Sequence, residues 1–390
     1  MASLSRALRV GLLLNTYDAT AGIDAGGFVH LIEVVRRWTG VDVTIFAPES
    51  GRRPFCAAFP MASFVALPNV DGYTRGRALT FLGRALVAPL TRRKLRSCDV
   101  LLVLSPFLPD IVPALFFGPK NCVVQLWHLQ DPPWKRPGAF AHNMLAYANE
   151  RIGLLLLRYF FPALIVGTPQ VARQLNAKHK RVYVTTNGVD HLQLFAQSGE
   201  ARKGGVFIGR LHPSKGVEDL IAAWDVVVRE LGPIPLNIIG DGMPEYRALL
   251  QLKIDVHGLS DSVHLAGRVS EEEKARLLNA AEVFVFPSYE EGWGIAIAEA
   301  MAAQLPCVTY DLPVFDEVFT SGRVSAPLGS VEQLADRICN VLRDDALRER
   351  LSSEATTLAS GFSWQRAADI ELDALRSLPF ARSLEEAARA

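Results

Sequence analysis

The chain has 390 residues, 49% of them hydrophobic and 21% charged, and its formal net charge is zero. This length predicts two domains of ordinary size, and the composition excludes an intrinsically disordered chain. The zero charge hides an asymmetry, because residues 1–195 hold 22 Lys and Arg against 11 Asp and Glu, which leaves 19 against 30 for the remainder. The basic first half indicates either an anionic partner or attraction between two oppositely charged domains.

The cysteines and the apolar runs bear on the cellular compartment that we predict for the chain. Five cysteines are scattered without the CxxC spacing of a zinc or redox site, which predicts a reduced, cytoplasmic protein. The apolar runs at 100–118 and 151–167 are interrupted by prolines and charged residues, so we expect no transmembrane helix. The short run "RVGLLLN" has no cleavage site after it, and we expect no signal peptide.

Short β-rich runs alternate with helical patterns along the chain, which predicts an α/β protein with doubly wound parallel sheets. Strands are predicted at 8–14, 41–47, 100–104, 122–127, 163–167, 182–186, 205–209, 236–239, 263–266, 283–286 and 306–309. Helices are predicted between them, among others at 27–38, 217–231, 271–280, 295–303 and 331–343.

A polar, glycine-containing run at 191–205 predicts a linker. We therefore predict an N-terminal domain over 1–195, a C-terminal domain over 200–365 and a helical tail over 366–390. Ligands of doubly wound sheets bind beyond the carboxyl ends of the strands, so the predicted site is a cleft between the two domains.

The stretch "FVFPSYEEGWGIAIAEAMAA" at 284–303 runs from a buried strand into a helix of small apolar residues. Gly292 and Gly294 lie where the strand becomes the helix, and unpaired N–H groups at a helix start favour an anion such as phosphate. Glu299 falls one turn inside the apolar helix. It is either a carboxylate that needs partners or a glutamate on a solvent-facing side.

The stretch "VFIGRLHPSKGVEDLI" again reads as strand, loop and helix, with Arg210 and Lys215 flanking the loop. A guanidinium fork and a mobile ammonium together neutralise a diphosphate, although two solvated loop cations give the same pattern. In the first half, Gly26 and Gly27 precede a helix and His128 follows a strand. An ordinary tight turn and a structural histidine are the alternatives there.

Absent motifs narrow the chemistry. The chain has no Asp-x-Asp at a strand end, no HExxH and no GxxxxGK[ST], so we predict no metal site and no cofactor. GxGxxG is missing after the first strand, which disfavours a nicotinamide dehydrogenase.

The second half resembles the retaining family 4 glycosyltransferases. Glu291 and Glu299 match that family's E-x7-E motif, and "FIGRLHPSKGVEDLI", "NIIGDG", "VHLAGRVS" and "FSW" fall in the expected order over about 160 residues. The first half matches loosely, through the glycine loop, His128 and "NGVD". The resemblance implies a GT-B fold of two Rossmann-like domains and a metal-independent hexosyltransferase acting on a nucleotide-sugar, most simply UDP- or GDP-linked.

The resemblance also implies roles for individual residues. Arg210 and Lys215 would bind the diphosphate, Glu299 the ribose and Glu291 the sugar hydroxyls. The remaining donor contacts would come from the backbone around Val269 for the base, from His128 for the sugar, and from a set of loop residues for sugar and phosphate, namely Gly26, Gly27, Gly292, Trp293, Gly294 and Ile295.

The sequence departs from the family at Gln304, where glycine is usual, and at "TYDLPVFDEV" in 309–318. A GT-B-shaped nucleotide-sugar binding protein or a sugar-nucleotide epimerase therefore stays open as an alternative.

The stretch "RGRALTFLGRALVAPLTRRKLR" sets Leu79, Leu82, Leu86 and Leu90 at helical spacing among the basic residues Arg84, Arg92, Arg93, Lys94 and Arg96. This pattern fits a helix on an anionic membrane, or a core-facing helix that ends in a solvated basic turn. The expected partners are a nucleotide-sugar and a glycan or lipid-linked acceptor at the inner face of the membrane, without nucleic acid.

Overall fold

A computed structural model of the chain describes residues 6–17, 26–68, 70, 77–135, 140–189 and 202–383. The chain forms two compact units: unit 1 comprises Met1–Thr186 and Trp364–Ala390, and unit 2 comprises Asn187–Ser363. Most of the predicted linker, residues 190–201, lies outside the described residues.

Unit 1 contains a seven-stranded parallel sheet with the order β3-β2-β1-β4-β5-β6-β7. The strands are β1 (Leu8–Leu13), β2 (Val41–Ala47), β3 (Ser63–Ala66), β4 (Val100–Val103), β5 (Cys122–Leu126), β6 (Ala163–Val166) and β7 (Arg181–Val184). Strand β1 pairs with β2 from Leu8 opposite Val41 and with β4 from Val10 opposite Val100. Strands β4, β5 and β6 are buried along their full length, as expected of a sheet covered on both faces.

The helices of unit 1 lie on both faces of this sheet. They are α1 (Gly26–Val35), α2 (Arg52–Ala58), α3 (Arg77–Leu86), α4 (Arg92–Leu95), α5 (Leu108–Phe117), α6 (Phe140–Phe160) and α7 (Pro169–Gln174). Connections through α3 to α7 all progress along the sheet in one direction, so the right-handed crossover rule places these helices on one face, opposite α1 and α2. Leu154, Leu157 and Phe161 join α6 and the residue after it to the core under that face.

Unit 2 contains a six-stranded parallel sheet with the order β10-β9-β8-β11-β12-β13. The strands are β8 (Gly205–Ile208), β9 (Leu236–Ile239), β10 (Val263–Gly267), β11 (Val283–Phe286), β12 (Cys307–Tyr310) and β13 (Arg323–Ala326). The helices are α8 (Val217–Leu231), α9 (Pro244–Val256), α10 (Glu271–Ala280), α11 (Ile295–Ala302), α12 (Pro313–Val318), α13 (Val331–Arg343) and α14 (Asp345–Ala359).

The last helix, α15 (Trp364–Arg376), belongs to unit 1 and packs against α1. Its Glu371 is fully buried, and the Oε1 atom of that residue lies 2.6 Å from His30 Nε2. The same oxygen accepts hydrogen bonds from Gln125 Nε2 at 2.8 Å and Thr185 Oγ1 at 3.1 Å. The segment predicted as a tail therefore supplies a buried polar group to the N-terminal sheet.

Each sheet has a point where the strand order reverses, between β1 and β4 in unit 1 and between β8 and β11 in unit 2. Loops at the carboxyl ends of such strand pairs form the ligand crevice of doubly wound folds. The loops after β8 and β11 carry Arg210, Lys215 and Glu291. Among the residues that the structure describes, no helix is long and apolar enough to cross a membrane.

Candidate functional site

The loops that follow β8 and β11 in unit 2 are joined by direct bonds. Tyr289 N donates to Ser214 O at 2.8 Å, and Ser288 Oγ donates to the same carbonyl at 3.2 Å. Gly216 has φ +65°, and a Cβ there would lie 2.0 Å from Pro287 O. A side chain at 216 would therefore push the two loops apart.

This junction brings Lys215 and Glu291 together, 76 positions apart in sequence. Lys215 Nζ forms a short hydrogen-bonded ion pair with Glu291 Oε1 and lies 3.4 Å from Glu290 O. Both side chains are largely buried, with relative exposures of 16% and 12%. Arg210 is exposed at the start of the loop after β8, and its guanidinium has no bonding partner within the described part of the chain. The site thus presents one neutralised cation and one available cation.

Helix α11 begins directly after Gly294, which has φ +107° and is its N-cap. Its first N–H groups lack intrahelical partners and carry the positive end of the helix dipole. Trp293 is buried, with its ring 5.3 Å from that of Phe319 and 5.0 Å from that of Phe362. The tryptophan thus anchors the Gly-Trp-Gly turn in the core of unit 2.

Glu299 lies on the same helix and is paired with Lys274 of α10, a residue that the sequence analysis missed. Lys274 Nζ donates to Glu299 Oε1 at 3.0 Å and lies 2.6 Å from Glu271 Oε2. Burial favours the neutral form of Lys274, but the two carboxylates outweigh it and the pKa of Lys274 is raised. Of the two alternatives for Glu299, a carboxylate with bonding partners or a solvent-facing glutamate, the structure thus shows the first. Val269 lies between β10 and the Ser270 N-cap of α10.

The stretch 309–318, which departs from the family pattern, is ordered by its own contacts. Tyr310 and Tyr289 both donate to Asp219 Oδ2 at 2.6 Å. Burial and this bond raise the pKa of Tyr289 to about 12. Helix α12 then buries Phe315 beneath Gly294. This stretch thus supports the turn that begins α11.

In unit 1, a buried carboxylate and a buried guanidinium fix the loop after β1. Asp110 accepts from Asn15 N at 2.7 Å, Thr16 N at 3.2 Å and Thr16 Oγ1 at 2.9 Å, and burial raises its pKa to about 6. Arg84 of α3 donates to Asn15 O at 2.7 Å and to Tyr17 O at 2.8 Å. Arg84 is thus a buried structural residue that holds this loop. The prediction that it belongs to an exposed basic surface is wrong.

The remaining predicted residues of unit 1 lie at strand or helix ends. Gly26 opens α1, and a Cβ on Gly27 would meet no atom of the described residues within 4 Å. His128 is exposed just after β5. Residues 18–25 of the predicted glycine loop lie outside the described residues.

The surface of α3 is apolar as well as basic. The four leucines that the sequence sets at helical spacing are exposed, Leu79 by 56%, Leu82 by 51%, Leu86 by 72% and Leu90 by 68%. Arg92, Arg93, Lys94 and Arg96 beside them are exposed too. These four leucines therefore do not face the core, although Phe81 and Ala85 of the same helix are buried and the basic turn after it is exposed.

No group of three or more His, Cys, Asp or Glu side chains suited to a metal ion occurs in the described ranges.

Comparison with known proteins identifies the family. The model of the family described as glycosyl transferases group 1 matches residues 196–358. The phosphatidyl-myo-inositol mannosyltransferase of Mycobacterium tuberculosis is 31% identical over 389 residues, which cover 92% of this chain and 93% of that protein. The chain is a family 4 glycosyltransferase.

Solved structures show the fold of this glycosyltransferase. Sucrose-phosphate synthase from Thermosynechococcus elongatus covers 97% of the chain and 100% of its own length at 18% identity, with a TM-score of 0.76. Anabaena HepE in complex with UDP and glucose covers 95% and 100% at 17% identity, with a TM-score of 0.75. The predicted GT-B fold is thereby confirmed.

Proposed function

We propose that this glycosyltransferase moves a hexose, with retention and without a metal ion, from a nucleoside diphosphate sugar to a hydroxyl of a glycan or lipid-linked acceptor. The observation that carries the proposal is the joined pair of loops in unit 2, which brings Lys215 to Glu291 just before the start of α11, with the exposed Arg210 in the same loop as Lys215. Transfer develops negative charge on the departing diphosphate. Cations and helix N–H groups fixed where that charge forms stabilise the transition state.

In this proposal, Lys215 and Glu291 exchange their mutual ion pair for contacts with the donor. In the free protein each group neutralises the other. When a donor binds, the diphosphate takes over Lys215, and Glu291 accepts hydrogen bonds from sugar hydroxyls. The Lys215–Glu291 bond is thereby replaced by two charge-assisted contacts, one from Lys215 to the diphosphate and one from the sugar hydroxyls to Glu291. A bare phosphate would make only the first of these contacts, so the site favours the donor.

The Glu299–Lys274 pair serves the nucleoside in this proposal. Lys274 holds one carboxylate oxygen of Glu299, which leaves the group charged and oriented for the two ribose hydroxyls. The backbone around Val269 contacts the base, and the backbone of Gly292, Trp293, Gly294 and Ile295 contacts sugar and phosphate. Unit 1 is proposed to add His128 and the Gly26–Gly27 helix start, an assignment that rests on the family resemblance.

Retention requires attack on the face of the sugar that the diphosphate leaves, and the family resemblance implies a front-face transfer. The bond between the anomeric carbon and the diphosphate oxygen breaks, and its electron pair stays on the phosphate. The acceptor hydroxyl bonds to the same face of the carbon and passes its proton to the departing phosphate oxygen. Family membership favours this transfer over the binding-only and epimerase alternatives.

A donor screen tests the site. UDP-, GDP- and ADP-linked hexoses are offered to the wild type and to Lys215→Ala and Glu291→Ala, with mannosyl donors first because the curated relative is named a mannosyltransferase. We expect one preferred donor, activity that survives EDTA, and a loss of about 10²–10³-fold in kcat/KM for Lys215→Ala.

Lys253→Ala is the matched control for the donor screen, because Lys253 forms a 3.0 Å surface ion pair with Glu218 in the same unit. Its kcat/KM should match the wild type. Equal turnover by the wild type, Lys215→Ala and Glu291→Ala would contradict the site assignment.

The α3 surface, defined by Leu79, Leu82, Leu86 and Leu90 with the exposed basic residues 92–96, is proposed to contact an anionic membrane and so reach a lipid-linked acceptor. Four leucines that are at least half exposed in one helical segment form an apolar patch unusual for a surface open to water. Basic residues beside such a patch add attraction to anionic headgroups.

Liposome sedimentation tests the α3 surface. We expect binding to anionic vesicles at low salt and weaker binding as salt screens the charges. Leu86→Glu with Leu90→Glu should lower the partition coefficient at least ten-fold, since each leucine side chain contributes about 1.5–3 kcal/mol when fully buried. Leu252→Glu, an exposed leucine of unit 2, is the control and should bind like the wild type. Indifference of the wild type to anionic vesicles would refute membrane contact.

A further inference from the structure

A groove of about 190 Å³ lies along α6 and α7 of unit 1 and reaches Leu129 in the loop after β5. Its apolar lining comes from five leucines, Leu129, Leu154, Leu155, Leu157 and Leu175. Its polar lining comes from Arg151, Arg158, Gln174 and Lys180, so the described lining holds three cations and no carboxylate.

The cations at the end of α6 are not neutralised. Lys180 Nζ donates to Phe161 O and, at 3.0 Å, to Arg158 O, which fixes the ammonium without cancelling its charge. The Arg158 guanidinium has no hydrogen-bond or ion-pair partner among the described residues. Burial, and after it the charge of Arg158, lower the pKa of Lys180. An anion between these two groups would relieve the repulsion.

Arg151, which also lines the groove, has partners within the chain. It donates to Gln130 O at 3.1 Å and lies 3.9 Å from the buried carboxylate of Glu150. The uncompensated charge is therefore concentrated at Arg158 and Lys180.

The apolar side of the groove continues along the exposed surface of α6. Ile152, Leu155 and Tyr159 follow at spacings of three and four residues, which sets them on one helical face, and they are 50%, 54% and 73% exposed. This stripe leads to Arg158. A ligand that fits has an anionic end at Arg158 and Lys180 and an apolar chain that follows the leucines.

We propose that the α6–α7 groove binds an anionic lipid, with its phosphate between Arg158 and Lys180 and its chain against Leu154, Leu155 and Leu175. The groove is smaller than the roughly 300–1,000 Å³ of ordinary small-molecule pockets, so it holds the headgroup and the first part of the chain. Helices α3 and α6 lie in one layer and touch. Helices α6 and α7 carry none of the residues assigned to transfer, so the proposal does not depend on transferase activity.

Isothermal titration of the full chain with dodecyl phosphate, below its critical micelle concentration and without any nucleotide-sugar, tests the proposal. Dodecyl maltoside and inorganic phosphate are titrated separately to distinguish the chain from the anion. We expect one saturable site for dodecyl phosphate, and affinities for the two other probes at least ten-fold weaker.

The variants assign the site to its residues. Arg158→Gln should weaken dodecyl phosphate binding about ten-fold, because a charge-assisted bond is lost without disturbing any bond within the described chain. Lys180→Gln should do the same, and its thermal unfolding is recorded because Lys180 also bonds two carbonyls. Lys178→Gln is the matched control, since Lys178 is exposed two residues away and outside the lining.

Each other outcome overturns the proposal. Equal binding of dodecyl maltoside would show an apolar site without anion recognition, and equal binding of inorganic phosphate would show a plain anion site. Equal losses in Arg158→Gln and Lys178→Gln would show diffuse charge attraction. If Lys180→Gln does not fold, Arg158→Gln alone decides.

Discussion

Asp110 shows what one buried side chain does for the loop that leads toward α1. Three hydrogen bonds from residues 15 and 16 and a fourth from Ser105 fix the loop, yet burial still raises the pKa of the carboxyl to about 6 from 3.8. The folded protein therefore binds this proton more tightly than the unfolded chain does. Between these two pKa values, the folded state carries more protons, and stability falls as pH rises.

We expect the free energy of unfolding of the wild type to fall by roughly 2–3 kcal/mol relative to Asp110→Asn between pH 4 and pH 7. The loss occurs as pH rises through the folded pKa of about 6 and stops above it. Urea unfolding of both proteins at half-unit steps of pH measures the difference. A constant difference across the range would contradict the burial of an ionisable Asp110.

Asp99 is a carboxylate whose pKa is shifted in the opposite direction, and the same unfolding measurement applies to it. Burial alone would raise its pKa, but hydrogen bonds and charge from Arg9 and Arg6 lower it. The stability that it contributes is lost only as pH falls below about 4. Asp99→Asn should therefore shift the free energy of unfolding by a nearly constant amount between pH 5 and pH 7.

Single residues also show which contacts of the candidate site could be predicted from the sequence and which could not. The Lys215–Glu291 contact joins two loops that were each predicted from charge and glycine beside a strand. Lys274 lies in the charged run "SEEEKARLL", where only burial against α11 distinguishes it from its exposed neighbours. Arg84 reads as part of a basic surface, because no local signal shows that it turns inward to two carbonyls.

At the scale of elements, α11 ends in a left-handed residue that is not glycine. Gln304 has φ +63°, and the end of the helix is closed by bonds from Gln304 N to Met301 O at 3.0 Å and from Leu305 N to Ala300 O at 2.9 Å. This is the Schellman arrangement, in which glycine is preferred because it has no Cβ. The departure from the family at 304 is thus accommodated at a conformational cost of roughly 1 kcal/mol.

Gln304→Gly should raise the free energy of unfolding by about 0.5–1 kcal/mol, because relief of the left-handed strain exceeds the added flexibility of the unfolded chain. Thermal unfolding in parallel with Gln304→Ala measures it. Alanine removes the same side chain but keeps the strain, so that variant should not be stabilised. A gain of equal size in both variants would assign the effect to the side chain instead.

The accuracy of the predicted elements follows how buried each one is. Helices 217–231, 271–280 and 331–343 were predicted with the bounds that the structure has, because caps or glycines flank clear apolar periodicity. The sequence analysis missed β3 and β13, which are four-residue strands at sheet edges. An edge strand is paired on one side, so polar residues such as Arg323 and Ser325 of β13 interrupt its apolar pattern.

For the whole molecule, the sequence predicted two doubly wound sheets. It did not predict which of the two sheets the last helix packs against. The "FSW" motif lies at the boundary, with Phe362 against Trp293 in unit 2 and Trp364 near His30 in unit 1. Only tertiary contacts show that α15 belongs to the first sheet, because its amphipathic pattern fits either one.

Glu371→Ala should destabilise unit 1 by about 3–5 kcal/mol, because it leaves His30, Gln125 and Thr185 buried around a lost acceptor. Glu371→Gln keeps an acceptor oxygen and should cost about 1–2 kcal/mol. Urea unfolding of both variants gives the comparison. Glu349→Ala, which changes an exposed glutamate on α14, is the control and should stay within about 0.5 kcal/mol of the wild type. A loss in Glu371→Ala no larger than in this control would contradict the buried network.

The return of α15 to unit 1 sets an order of events during synthesis. Unit 2 is one continuous segment, whereas the first sheet waits for a helix that is translated only after all of unit 2. At about 5–20 residues per second, this interval is roughly 10–35 s. A ribosome-bound chain should therefore complete its second domain before its first, and the N-terminal sheet without its last helix is the part that a chaperone would meet.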